Sequence, residues 1–217
     1  MALKVAPSLI AGDQARLGEE ARAVELAGAD LLHLDVMDGC FVPNITIGPG
    51  VVKALRPLVS LPFDCHLMLL HPERYVEAFA AAGADRISVH VEVEGADSAI
   101  RLIRSLGKSP GLAVNPETPV EQALSFVSAV DFFVVMTVHP GFYGQSMIHS
   151  SLDKVPILVQ SMRALGRVPA VQVDGGVTVS NAAIVEAAGA TEVVAGAAVF
   201  KASDYRAAIA GLRGHRL

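Results

Sequence analysis

The chain has 217 residues, 52% of them hydrophobic, which suits one large core, and a single domain over 1–217 is expected. A net charge of −5 with only 17 lysines and arginines argues against a surface for nucleic-acid phosphates. Cys40 and Cys65 form no C-x-x-C pair and no disulfide framework, no signal-peptide order opens the chain, and no apolar run reaches membrane-span length. A cytoplasmic protein with neither nucleic-acid nor membrane partners is therefore expected.

From the amino terminus, short runs rich in valine, isoleucine and leucine alternate with longer alanine-rich stretches of helical period. The pattern predicts strands at 3–6, 31–35, 63–68, 86–91, 111–114, 132–137, 170–174 and 192–195. Helices are predicted at 15–27, 49–55, 72–82, 96–106, 119–126, 152–165, 180–188 and 204–212. A weak repeat marks three joints: Ala27-Gly28-Ala29-Asp30, Ala82-Gly83-Ala84-Asp85 and Ala188-Gly189-Ala190-Thr191. Glycine just past a helix takes a left-handed conformation without a Cβ clash and turns the chain back toward the sheet. Pro49, Pro72 and Pro119 stand where helices begin, where a missing N–H costs little.

Strict alternation of strand and helix calls for a parallel sheet covered by helices. Eight units in this length fit a single (β/α)8 TIM barrel, with an open doubly wound sheet as the alternative. The first strand is not followed by G-x-G-x-x-G and no Walker loop occurs, which favours the barrel.

In such a barrel the reactive groups come from the carboxyl ends of several strands. Those ends carry Ser8, His33 with Asp35, His66, Ser88 with His90, Asn115, Met136 and Asp174. His33 and Asp35 are two apart and project from one face of an apolar strand. Burying both is costly unless each finds a partner, either in a hydrogen-bonded core pair or in a metal ion or substrate. His33, Asp35, His66 and Asp174 together suit a divalent cation such as zinc, iron(II), manganese or cobalt; separate hydrogen-bonded rim residues are the alternative. Two carboxylates beside a cation could take a proton from carbon next to a carbonyl and return one from the other side, inverting that carbon. Isomerisation by transfer to the neighbouring carbon is the competing reaction.

Three glycine-bearing turns follow the last strands: 140–144, Gly175-Gly176 and Gly196-Ala197, the last opening a short helix over 197–200. They could cradle an anion such as phosphate, or be ordinary tight turns. Met37, Met68 and Met136 lie near the proposed site and either pack around a substrate or fill core. His71, His139, His149 and His215 are expected on the surface or in loops and receive no role. No lysine stands at a strand end, since Lys4 begins its strand, which argues against a Schiff-base lyase or decarboxylase.

The residues carry a resemblance. Ala6-Pro7-Ser8-Leu9, HLDVMDGCFVPNITIG from His33 to Gly48, Asp64-Cys65-His66-Leu67-Met68, Asn115-Pro116-Glu117-Thr118-Pro119, VMTVHPGFYGQ from Val135 to Gln145, and Val173-Asp174-Gly175-Gly176 run in order along the chain. In these the chain resembles the ribulose-phosphate 3-epimerase family. The resemblance implies a TIM barrel of the ribulose-phosphate-binding type that interconverts D-ribulose 5-phosphate and D-xylulose 5-phosphate by inverting carbon three. By likeness, His33, Asp35, His66 and Asp174 would bind the metal, and Asp35 and Asp174 would also be the acid/base pair. Ser8, His66, Asp174, Gly141, Phe142, Tyr143, Gly144, Gly175, Gly176, Gly196 and Ala197 would bind the sugar phosphate, the turns mainly its phosphate. A flexible segment over 39–47 would help close the site, and a homo-oligomer is expected.

Some positions depart from the family pattern. A turn that commonly reads N-P-G-F-G-G-Q-S-F is here His139 to Met147 with Tyr143 in place of glycine; Ala197 replaces a common serine, and no further histidine follows His90 closely. These departures bear on substrate choice, with D-allulose 6-phosphate as the alternative substrate. A non-catalytic sugar-phosphate-binding barrel is the alternative of another class.

Overall fold

Residues 2–214, described by a computed structural model, build eight parallel strands: β1 (Lys4–Pro7), β2 (Leu32–Met37), β3 (Phe63–Met68), β4 (Arg86–His90), β5 (Ser109–Val114), β6 (Phe132–Met136), β7 (Val171–Asp174) and β8 (Glu192–Ala195). They pair in the order β1-β8-β7-β6-β5-β4-β3-β2, and a parallel bridge between Ser8 and His33 brings the two ends of the row together. The result is a (β/α)8 TIM barrel, nearly closed at the β1/β2 seam. The intervening helices are α1 (Leu17–Leu26), α2 (Pro49–Leu55), α3 (Val76–Ala82), α4 (Ala96–Ser105), α5 (Val120–Leu124), α6 (Lys154–Ala164), α7 (Ala182–Ala187), α8 (Ala197–Phe200) and α9 (Tyr205–Leu212).

The repeated joints behave as their glycines require: Gly28, Gly83 and Gly189 have φ of 93°, 112° and 101°. Several helices are shorter than their period suggests. The stretch 72–82 opens with a 3-10 turn, Pro72–Arg74, and α6 is preceded by another at His149–Asp153. The stretch 119–126 keeps only α5, because Phe126 and Val127 bond three residues back, to Ala123 and Leu124, and tighten the chain out of the helix. Among the described residues no helix is long and apolar enough to cross a membrane. His215 lies outside the described residues.

The outward faces of the strands, among them Val5, Leu34, Phe63, Leu67, Leu112, Phe133 and Val193, form one continuous layer with the helices. The lumen is divided. Ala113, Phe132, Val134 and Met136 pack on one side, and Ala6, Leu31 and Val194 on the other. Between them runs a polar belt of buried Asp64, Gln172 and Glu192 with the partly buried Arg86.

Arg86 organises that belt. Its Nε lies 2.9 Å from Asp64 Oδ1, its Nη2 lies 2.8 Å from Glu192 Oε2, and its guanidinium sits 3.7 Å over the Phe132 ring. Phe132 reaches the lumen because its neighbour is Gly111, where a Cβ would stand 2.2 Å from the ring. Burial alone would raise the Asp64 pKa, but Arg86 and His33 outweigh it and hold the carboxyl well below its usual range. This belt is the floor on which the site stands.

Candidate active site

Because the strands are all parallel, the ends that the sequence marks as polar lie at one end of the barrel, and four side chains converge there most closely. His33 Nε2 lies 3.4 Å from Asp35 Oδ1 and 3.6 Å from Asp174 Oδ2; His66 Nδ1 lies 3.7 and 3.5 Å from the same two oxygens. One donor atom from each residue falls within 4.8 Å of all the others. Donors bonded at about 2.0–2.1 Å to one tetrahedral centre stand about 3.4 Å apart, so the spacing suits a small divalent cation. A second observation agrees: His33 Nε2 and His66 Nδ1 are fully buried and make no hydrogen bond in the protein. Orphaned nitrogens in a buried site need a partner. The residues present therefore fit a metal ion.

Each imidazole is held from behind through its other nitrogen. His33 Nδ1 lies 2.8 Å from Asp64 Oδ2, and that oxygen also accepts from Gln172 Nε2 at 2.9 Å. His66 Nε2 lies 2.8 Å from His90 Nε2. Burial would push His33 and His66 down, but for His33 the Asp35 and Asp64 carboxylates, and for His66 those of Asp174 and Asp35, outweigh it and raise both. Burial would likewise raise Asp35, and His33 and His66 hold it far below the ordinary carboxylate range. His90 behaves oppositely: burial dominates and pushes it down to about 4, so it stands neutral. The Ser8 hydroxyl donates to Asp35 Oδ2, leaving Oδ1 to face the imidazoles.

Above these residues opens a cavity of about 490 Å³. Asp35 and Asp174 line its floor, with Ser8, Met37, Met68 and Met136 around them. Its far wall contains the three predicted turns, through Gly141, Phe142, Tyr143, Gly144, Gly175, Gly176, Gly196 and Ala197. His33 and His66 do not line it; both are buried beneath the floor, with 0% exposure. Gly176 shows why the turn is built of glycine: φ is +64°, and a Cβ would stand 2.5 Å from the backbone nitrogen of Met147. Tyr143 is half exposed, with Lys201 Nζ 5.5 Å from its ring centroid. His149, given no role by the sequence, also lines the cavity, whereas His71 and His139 are exposed away from it.

The segment after β2 is a folded flap. Asp38 accepts the N–H groups of Cys40, Phe41 and Leu70, each at 2.8 Å, and pairs across the flap with Ile45. Thr46 Oγ1 donates to the Asp35 carbonyl at 2.6 Å and accepts the Met37 N–H at 3.0 Å, clipping the far end of the flap to the site strand. Asn44 reaches the turn after β6.

Sequence reasoning missed Asp64, Arg86, Gln172, Glu192 and Glu92, and gave His90 a place but no role. A signal exists for some of them. The two-residue spacing that sets His33 beside Asp35 also sets Asp64 beside His66 and Gln172 beside Asp174, in the same lumen.

A parallel eightfold barrel with its polar groups gathered at one mouth is a TIM-barrel enzyme. Its lineage is visible over almost the whole chain: the Ribulose-phosphate 3 epimerase family model matches residues 4–200, and the chain belongs to that family. It is 50% identical to Ribulose-phosphate 3-epimerase of Synechocystis over 96% of this chain and 92% of that protein. It is 46% identical to Ribulose-phosphate 3-epimerase of Bacillus subtilis over 99% of this chain and 100% of that protein. Among solved structures, a 3-hexulose-6-phosphate synthase shares the fold with a TM-score of 0.68 at 21% identity, covering 100% of both chains.

Proposed function

We propose that the chain is an epimerase that inverts carbon three of D-ribulose 5-phosphate to give D-xylulose 5-phosphate, with Asp35 and Asp174 as its acid/base pair. The observation that carries this reading is the convergence of two imidazole nitrogens and two carboxylates beneath one cavity. The ribulose-phosphate 3-epimerases to which the chain is similar supply the substrate.

His33, Asp35, His66 and Asp174 would hold a divalent cation, for which zinc, iron(II), manganese and cobalt are the candidates. When bound it supplies positive charge to an oxyanion beside the acidified carbon. One carboxylate then takes the carbon-three proton, leaving an enediolate across carbons two and three. The other returns a proton to the opposite face, so only configuration changes. Ser8 orients Asp35 through its Oδ2, and the turns at 141–144, 175–176 and 196–197 offer backbone N–H groups to the phosphate. The unpaired thiols Cys40 and Cys65 suit a reducing cytoplasm.

Proton NMR in deuterium oxide tests this reading, with ribulose 5-phosphate and allulose 6-phosphate offered separately. The expected result is exchange at carbon three of the pentose phosphate with xylulose 5-phosphate accumulating. Faster exchange of the hexose phosphate would reassign the substrate. Binding without any exchange would establish the non-catalytic alternative.

A further inference from the structure

Beside the donor set stand two residues that neither belong to it nor line the cavity. His90, at the end of β4, is fully buried, and its ring stacks on His66 with centroids 4.9 Å apart and planes 17° apart. Its Nε2 is 2.8 Å from His66 Nε2, and its Nδ1 is 3.0 Å from Glu92 Oε2. The other oxygen of Glu92 accepts the backbone N–H of Asn115 at 2.8 Å. Phe41, from the flap, lies against His90 at 4.7 Å.

The direction of every hydrogen in this chain follows from its far end. Two imidazole nitrogens 2.8 Å apart share one hydrogen, so one ring donates and the other offers a lone pair. An ionised carboxylate can only accept, so His90 Nδ1 donates to Glu92 Oε2. With one hydrogen on its ring, His90 then presents a lone pair at Nε2, and His66 must donate its Nε2 hydrogen there. That makes Nδ1, directed at Asp35 and Asp174, the nitrogen whose lone pair a bound cation takes.

We propose that His90 and Glu92 are positioning residues that fix the tautomer of His66, so that its Nδ1 offers a lone pair to the cation. The inference rests on the cation-binding reading given above. His33 is set in one step by Asp64, whereas His66 is set in two, and Glu92 is the residue that decides the second case. Metal-ligating histidines generally depend on such a partner, whose loss costs about 10–100-fold in metal affinity.

Glu92→Gln tests it, since the two side chains have the same shape. The Asn115 N–H holds the amide oxygen, so the NH2 group faces His90 Nδ1 and reverses the chain. A hydrogen then lands on His66 Nδ1, where the cation belongs. Competition with a chromophoric chelator should give a zinc Kd about 10–100-fold weaker than that of the unchanged protein. Long-range 1H–15N spectra of histidine-labelled, metal-free protein should place the His90 hydrogen on Nδ1, and on Nε2 in the variant. A merely structural role would lower stability without moving that hydrogen.

Zinc binding by the variant within twofold of the unchanged protein would overturn the proposal, as would a hydrogen on His90 Nε2 in the unchanged protein. Should Glu92→Gln fail to fold, the spectra of the unchanged protein decide alone. If the unchanged protein takes up no zinc, cobalt, manganese or iron(II), the cation reading fails; the spectra still report the tautomers separately.

Discussion

Asn44 donates its side-chain amide to the carbonyl oxygen of Gly141 at 2.7 Å, across 97 residues of sequence. That single bond fastens the flap after β2 to the turn after β6, over the cavity mouth. Asn44→Ala removes one hydrogen bond, about 1 kcal/mol, or about fivefold in affinity. We expect KM for ribulose 5-phosphate to rise about fivefold with a smaller change in kcat, and amide exchange over 39–47 to quicken. Unchanged KM and exchange would mean that the clasp contributes nothing to closure.

Asp35→Asn and Asp174→Asn each keep the side-chain shape and remove the base. A positioned acid or base contributes about 10²–10⁴-fold, so kcat should fall by at least that range while the circular dichroism spectrum stays native. Near-normal turnover in either variant would refute the two-carboxylate mechanism.

Exhaustive dialysis against a chelator should abolish turnover, and zinc, iron(II), manganese or cobalt added back should restore it. The orphaned nitrogens of His33 and His66 are the physical basis of this expectation. Full activity in rigorously metal-free protein would leave the donor set without its assigned purpose.

Gly176→Ala should impair the turn more than Gly144→Ala. Both glycines have positive φ, 64° and 84°, but only at 176 would a Cβ meet backbone, at 2.5 Å from Met147. Position 144 has nothing within 4 Å and carries only the conformational cost, about 1 kcal/mol. We expect KM to rise more than about tenfold for the first variant, consistent with overpacking of about 1–3 kcal/mol, and only slightly for the second. Equal effects would show that the space beside Gly176 is unimportant.

The flap should loosen in acid. Burial would raise the Asp38 pKa, but the N–H groups of Leu70, Phe41 and Cys40 outweigh it and lower the value. A lowered folded value means that the stabilisation is present above the unfolded pKa of about 3.9 and is lost as pH falls through the folded value. Protection factors over the flap, taken against the intrinsic exchange rate at each pH, should therefore fall on acidification through that window. Asp38→Asn should exchange faster at every pH and lack the acid step, because its NH2 group must face an N–H donor. An acid step that persists in the variant would assign the transition to another group.

Alternation of β and helical period, glycine at the joints and the spacing of His33 and Asp35 are local properties, and they are legible in the chain. The barrel, the ends of its strands and the four converging residues follow from them together with the family motifs. Contacts across the lumen and between loops are of another kind. Gln172 bonds Asp64 across 108 residues, between strands that are not neighbours, and Asn44 meets Gly141 only because two loops share one rim. Periodicity tells which face of a strand a side chain occupies, not what stands opposite. Closure of the sheet and its register decide that, and with it which nitrogen of His66 is left facing the two aspartates.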